Sequence, residues 1–157
     1  MSVSQRMRLV VFQPDIAGNL GAMLRSAACF DAAVDVIGPC GFALSDKALR
    51  RAALDYAGPQ DVRYHVDWAA FRAAGDPGRL VLLSTGAQTS LWQPRFRPED
   101  RLLVGRETGG VPDEVRAAAD LAVRIPMPGG GRSLNVGVAA AIALAEVARQ
   151  RAGADTG

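Results

Sequence analysis

Histidine and cysteine are nearly missing from this chain: His65, Cys29 and Cys40 are the only three such residues. A lone histidine and two cysteines without C-x-x-C spacing make no metal-ligand set, so no metal is expected, the thiols read as reduced and partly buried, and His65 reads as surface or structural. Long apolar runs are missing too. The longest, near the C-terminus, stops at Glu146, too early to span a bilayer, and Met1 to Arg8 lacks the hydrophobic core of a signal peptide. A cytoplasmic protein without a membrane partner is the expectation. Charge of one sign is not in excess either. With 18 basic and 16 acidic side chains the net charge is +2, which leaves room only for a local basic patch.

Three motifs are absent as well. The first glycine loop, Gly18-Asn-Leu-Gly21, is not the G-x-G-x-x-G of dinucleotide enzymes, and Gly131-Arg-Ser133 lacks the lysine of a phosphate-binding Walker loop. No G-x-S-x-G elbow exists, and no spacing puts His65 beside Ser133, which disfavours a serine hydrolase. Asp15, Asp46 and Asp55 read as caps and solvated charges.

What is present is a regular alternation. At 157 residues and 49% hydrophobic, the chain is expected to be one domain over 1–157, with its core from about 7 to 151 and a disordered tail from Ala152. Short apolar strands are predicted at Met7–Phe12, Val34–Ile37, Val62–Val66, Arg79–Leu83, Leu102–Val104 and Leu121–Ile125. Helices are predicted at Ala22–Phe30, Ser45–Ala53, Trp68–Ala74 and Pro112–Ala119, with a long one opening at Ser133. Nearly continuous apolar strands between helices imply an α/β fold: a mostly parallel sheet with helices on both faces.

Glycine and polar residues collect after the strands. Ile16–Gly21 reads as a turn-rich loop, followed by Ser84–Gly86, Gly105–Gly110 and Gly129–Asn135. In open parallel sheets that edge binds ligands. Ser133 is a good helix cap by type, Asn135 falls in the first turn, and the three glycines before them free the backbone. The small residues Gly137, Ala139–Ala141, Ala143 and Ala145 allow close helix packing, between subunits or within one.

Taken in order, Asn19-x-Gly21-x-x-x-Arg25, Gly105-Arg-Glu107-x-x-Gly110-Val-Pro112, and Ile125-Pro-Met127 with Arg132-Ser-Leu-Asn135 resemble the three motifs of the SPOUT superfamily of RNA 2′-O-methyltransferases. Pro39-x-Gly-Phe42, Asp46-Lys47 and Leu49-Arg-Arg-Ala52-x-Leu54-Asp-Tyr56 resemble, within it, the enzymes that modify the wobble ribose of leucine tRNAs. The likeness spans Leu9 to about Arg151. It departs from the common pattern at Gly18, Leu20 and Ala22, and in Ser84-Thr85-Gly86, which has no lysine.

The resemblance implies a C-terminal trefoil knot, a homodimer whose subunits complete each site, S-adenosylmethionine as methyl donor and tRNA as substrate. It also implies residue roles. Leu83, Gly105, Ile125, Met127, Ser133 and Leu134 would hold the donor. Arg25, Asn19, Glu107, Ser133 and Asn135 would serve the reaction, with Arg25 steadying the ribose oxygen. Lys47, Arg50 and Arg51 would meet tRNA phosphates.

Overall fold

The computed structural model describes residues 6–43 and 62–156. Its strands are β1 (Arg8–Phe12), β2 (Ala33–Ile37), β3 (Val62–His65), β4 (Leu80–Leu83), β5 (Thr89–Ser90), β6 (Arg101–Val104) and β7 (Leu121–Arg124). Its helices are α1 (Ala17–Cys29), α2 (Trp68–Ala74), α3 (Asp113–Ala118) and α4 (Val136–Thr156). The strands form one sheet in the order β3-β2-β1-β6-β4-β7-β5, and every pairing is parallel. All their carboxyl ends therefore share one edge.

Side-chain alternation splits the core in two. Leu9, Val11, Val34, Val36, Leu102 and Val104 face α1 and α4, where Leu20, Met23, Leu24, Ala140 and Leu144 close the layer. Val10, Phe12, Ile37, Leu80, Leu82 and Leu103 face the other way, against Phe71 of α2 and Val115 of α3. Helices on both faces explain why the strands are apolar on both sides. Among the small residues of α4, Ala140 and Ala143 are fully buried and the Gly137 backbone lies close to Ala22 of α1. At these three positions close packing occurs within one subunit.

Several elements differ from the sequence expectation. The stretch Ile16–Gly21 is the opening of α1: Gly18 and Gly21 are tolerated there because Leu20 anchors the first turns in the core. Pro112 caps α3 from outside, with φ −64° and ψ 163°. β5 is an additional two-residue edge strand. α4 starts at Val136 because Asn135, rather than Ser133, supplies the cap: its Oδ1 accepts from the Gly137 and Val138 N–H groups at 2.8 and 3.2 Å. That helix continues to Thr156, through the residues expected to be a disordered tail. Cys29 is exposed and Cys40 half-buried; both are free. The expected basic helix Ser45–Ala53, with Lys47, Arg50 and Arg51, lies outside the described residues.

The second face carries a charge in its interior. Asp35 in β2 is wholly buried and takes the Arg8 guanidinium at 2.6 Å, His65 Nε2 at 2.8 Å and Arg63 Nε at 3.3 Å. Burial pushes this carboxyl up, but the Arg8 hydrogen bond and charge, helped by His65 and Arg63, outweigh it and hold it below the ordinary value. His65 is thus structural. Removing the carboxylate leaves the half-buried Arg8 guanidinium without its ion-pair partner, so Asp35→Ala is expected to cost about 3 kcal/mol in denaturant unfolding. Because the folded pKa is depressed, this stabilisation is present above the unfolded value of about 3.9 and disappears as pH falls through the folded one. The parent should therefore lose stability on acidification below about pH 4 more steeply than the variant.

Candidate active site

At the carboxyl edge the loops after β1, β4, β6 and β7 surround a cavity of about 660 Å³. Its apolar wall is Leu83, Ile125, Met127, Leu134 and Ala139, and its polar wall is Asn19, Glu107, Ser133 and Asn135. Gly105 lines it as well.

The loop after β6 is folded back on itself. Arg106 N–H donates to the Gly110 carbonyl at 3.0 Å, and Gly109 and Gly110 turn the chain at φ 91° and 62°, conformations that favour glycine. The Arg106 guanidinium is held inside this fold, donating to Gly110 O and Gln13 Oε1 and lying 5.7 Å from the Phe12 ring centroid. Its charge is spent on shaping the loop.

That shape delivers Glu107 to the neighbouring loop. One carboxylate oxygen accepts from the Asp15 N–H at 2.7 Å and the other from Asn19 Nδ2 at 3.3 Å. Asn19 Oδ1 in turn accepts from Asn135 Nδ2 at 3.1 Å, and Asn135 Oδ1 caps α4. Every amide in this chain is both donor and acceptor, so one geometry satisfies all of it. Three loops far apart in sequence are tied into one wall. Next to it, burial first and the Glu107 charge second raise the Cys40 thiol above its ordinary pKa. A protonated thiol makes a poor nucleophile.

A family model for the SpoU rRNA Methylase family matches residues 6–145. The chain belongs to the SpoU methylase family. It is 48% identical over 144 residues to a tRNA (cytidine(34)-2′-O)-methyltransferase of Beijerinckia indica, covering 90% of each chain. A tRNA (cytidine(34)-2′-O)-methyltransferase of Ancylobacter novellus is 39% identical over 149 residues, 92% of this chain and 93% of that one. Among solved structures, one concerning the 2-OH methylation of C/U34 on tRNA superposes with TM-score 0.81 at 41% identity, covering 94% of this chain and 91% of the other. The SpoU methyltransferase AviRb of Streptomyces viridochromogenes, in complex with the cofactor AdoMet, gives TM-score 0.77 at 28% identity over 97% of this chain and 60% of that one.

Of the site residues that the resemblance implied for this SpoU methylase, Leu83, Gly105, Ile125, Met127, Ser133, Leu134, Asn19, Glu107 and Asn135 all line the same cavity. Arg25 does not line it. It is exposed on α1, and six residues beyond Asn19 at about 100° per residue its side chain leaves the helix about 120° away. Ser84, Thr85 and Arg106, which stand in loops expected at the binding edge but had no role assigned, also line the cavity, and so does Arg116, which sequence reasoning missed. Arg106 follows Gly105 directly and carried a readable signal; Arg116 had none, because its partner Ser84 is 32 residues away.

The linked wall gives a separable test. Asn135→Ala is expected to lose about 1 kcal/mol of cap energy, a melting-point drop of about 2–4 °C, and to impair turnover as well. Asn135→Asp keeps the cap acceptor but has no N–H for Asn19. Calorimetric melting of that variant should recover the stability while turnover stays low.

Proposed function

We propose that this chain transfers a methyl group from S-adenosylmethionine to the ribose 2′-hydroxyl of the wobble nucleotide of tRNA, cytidine or modified uridine, with leucine isoacceptors as substrates. The observation that carries this reading is the identity of 48% to a tRNA (cytidine(34)-2′-O)-methyltransferase over 90% of both chains, with nine of the residues that the family resemblance implied lining one cavity. The residues fit the donor. A volume near 660 Å³ suits a nucleoside with an amino-acid tail, and apolar side chains beside strand-end peptide groups suit a flat base with polar edges. In this role Leu83, Gly105, Ile125 and Met127 offer main-chain groups, with Ser133 and Leu134 at the lip.

Bound there, S-adenosylmethionine supplies a methyl group activated by its sulfonium. The chain's own task is then alignment and charge management. Asn19, Glu107 and Asn135 fix the wall against which the ribose is placed. Arg25 stabilises the oxygen as negative charge develops on it; a guanidinium that never gives up its proton does not act as the base. Ser133 stands beside the reacting groups.

Arg25 reaches a site, in this reading, when two subunits pair, so the working form is a cytoplasmic homodimer. Support comes from Ile16, which lines the cavity, and from Val138 in the first turn of α4: they are 52% and 49% exposed, apolar side chains that a second subunit would cover. The C-terminal segment forms the trefoil knot of the SPOUT superfamily, and Lys47, Arg50 and Arg51 contact tRNA phosphates. The deciding experiment is calorimetric titration with S-adenosylmethionine against NAD, followed by labelled-methyl transfer into total tRNA. Donor binding with label in tRNA is expected. Binding of NAD in place of S-adenosylmethionine, or no label in tRNA, would refute the proposal.

A further inference from the structure

Two arginines beside the cavity are not used by this reaction scheme. Arg116, in the last turn of α3, donates from Nη1 to Ser84 Oγ at 3.1 Å and lines the cavity rim. Arg124 ends β7, between Val123 and Ile125, which both line the cavity. Leu83 pairs with Val123 in parallel register, and Ser84 N–H donates to the Val123 carbonyl at 2.9 Å. Ser84 and Arg124 are thus neighbours on adjacent strands, about 4.8 Å apart in the pairing direction.

Alternation puts the three side chains on one face. Leu83 and Val123 pack into the α1/α4 layer, whereas Ala122 packs with Val115 on the α3 side. Ser84 and Arg124 therefore point to the side from which Arg116 arrives. Ser90 of β5 lies in register with Arg124 and extends the row with another hydroxyl. Among the described residues neither Arg116 nor Arg124 has a carboxylate within ion-pair distance, unlike Arg8, Arg63, Arg79 and Arg149, which are all paired. One guanidinium bonded to the Ser84 hydroxyl and a second leaving the adjacent strand on the same face, neither paired with a carboxylate, suit an oxyanion, which they can grip by charge-assisted hydrogen bonds.

We infer that Arg116 and Arg124, with Ser84 between them, form a subsite for a phosphodiester group of the RNA strand entering the cavity. The inference rests on the RNA substrate proposed above. Two sources of such an anion meet at this edge, the RNA backbone and the carboxylate of the methyl donor. The row runs outward from the cavity toward the edge strand β5, away from the wall built by Asn19 and Asn135, which favours the polymer.

The test compares the parent with Arg116→Gln, Arg124→Gln and Arg116→Lys. Arg97→Gln is the control: it makes the same charge change near the amino edge, where the Arg97 carbonyl accepts from Asp100 N–H. Unmodified tRNA is titrated across a salt series and S-adenosylmethionine is titrated separately. Each glutamine variant at the subsite should bind tRNA several-fold more weakly, with the slope of log K against log salt reduced by roughly 0.7–0.9. Arg116→Lys should keep most of that slope, Arg97→Gln should leave it intact, and donor affinity should not change. An unchanged slope in both glutamine variants overturns the subsite, as does an equal loss in Arg97→Gln. Weaker donor binding with intact tRNA binding assigns the anion to the donor and overturns it too. Failure of the function itself is distinguishable, since the unaltered protein would then transfer no methyl group to tRNA.

Discussion

Replacing Arg25 with alanine is expected to reduce methyl transfer by about a hundredfold or more, the usual effect of deleting one donor to a developing oxyanion, while S-adenosylmethionine binds as before. The split follows from placement. Arg25 is exposed on α1 and lies outside the cavity lined by Leu83, Ile125 and Met127, so donor affinity has no reason to change. The role proposed for it concerns the ribose oxygen alone. Arg25→Lys keeps the charge but loses the planar fork, and should recover only part of the rate. Single-turnover kinetics with saturating donor, paired with calorimetry, measure both halves. Normal turnover in the alanine variant would remove Arg25 from the reaction.

Gly105→Ala is expected to do the reverse and abolish donor binding. A Cβ at this position would lie 2.7 Å from the Gly110 carbonyl carbon, 2.9 Å from its Cα and 3.0 Å from its oxygen. All three are backbone atoms, so no side chain can swing away. The loop must open, and opening it breaks the Arg106–Gly110 bridge and moves Glu107 off Asp15 and Asn19. A shift of about 1 Å carries main-chain donors and acceptors beyond hydrogen-bond range of a bound donor molecule. Folding should survive, because overpacking one surface loop costs about 1–3 kcal/mol. Circular dichroism that matches the parent, together with lost donor binding, is the expected pair of results. Retained affinity would mean that the loop does not shape the cavity.

Much of this architecture was readable in the chain. Apolar runs such as Leu9–Phe12 and Leu102–Val104 have no polar alternation, which only a sheet covered on both faces explains, and the glycine and polar loops that follow them marked the binding edge. Local chemistry misled at three places. Gly18 and Gly21 look like turn residues, yet Leu20, Met23, Leu24 and Ala27 bury one side of α1 and start the helix at Ala17. Ser133 and Asn135 are both good caps by type, and only the tertiary position of Asn19 decides for Asn135. β5 has two residues and no pattern to detect.

Relations between distant segments were the harder part. The motifs list Asn19 and Arg25 together, but helical geometry turns them apart, so that only the first faces the cavity. Asp35 reads as a polar interruption of an apolar strand; its partners Arg8, Arg63 and His65 arrive from β1 and β3, and the strand order that brings them is not encoded in any local window. Arg116 meets Ser84 for the same reason. Long-range register creates these sites.

The most direct measurement is mass-spectrometric mapping of a wobble-unmodified leucine tRNA after incubation with the protein and S-adenosylmethionine carrying a heavy methyl label. The account predicts one labelled methyl group, on the ribose of nucleotide 34, the position methylated by the relatives. Label on a base, at another nucleotide, or nowhere in the tRNA would contradict it.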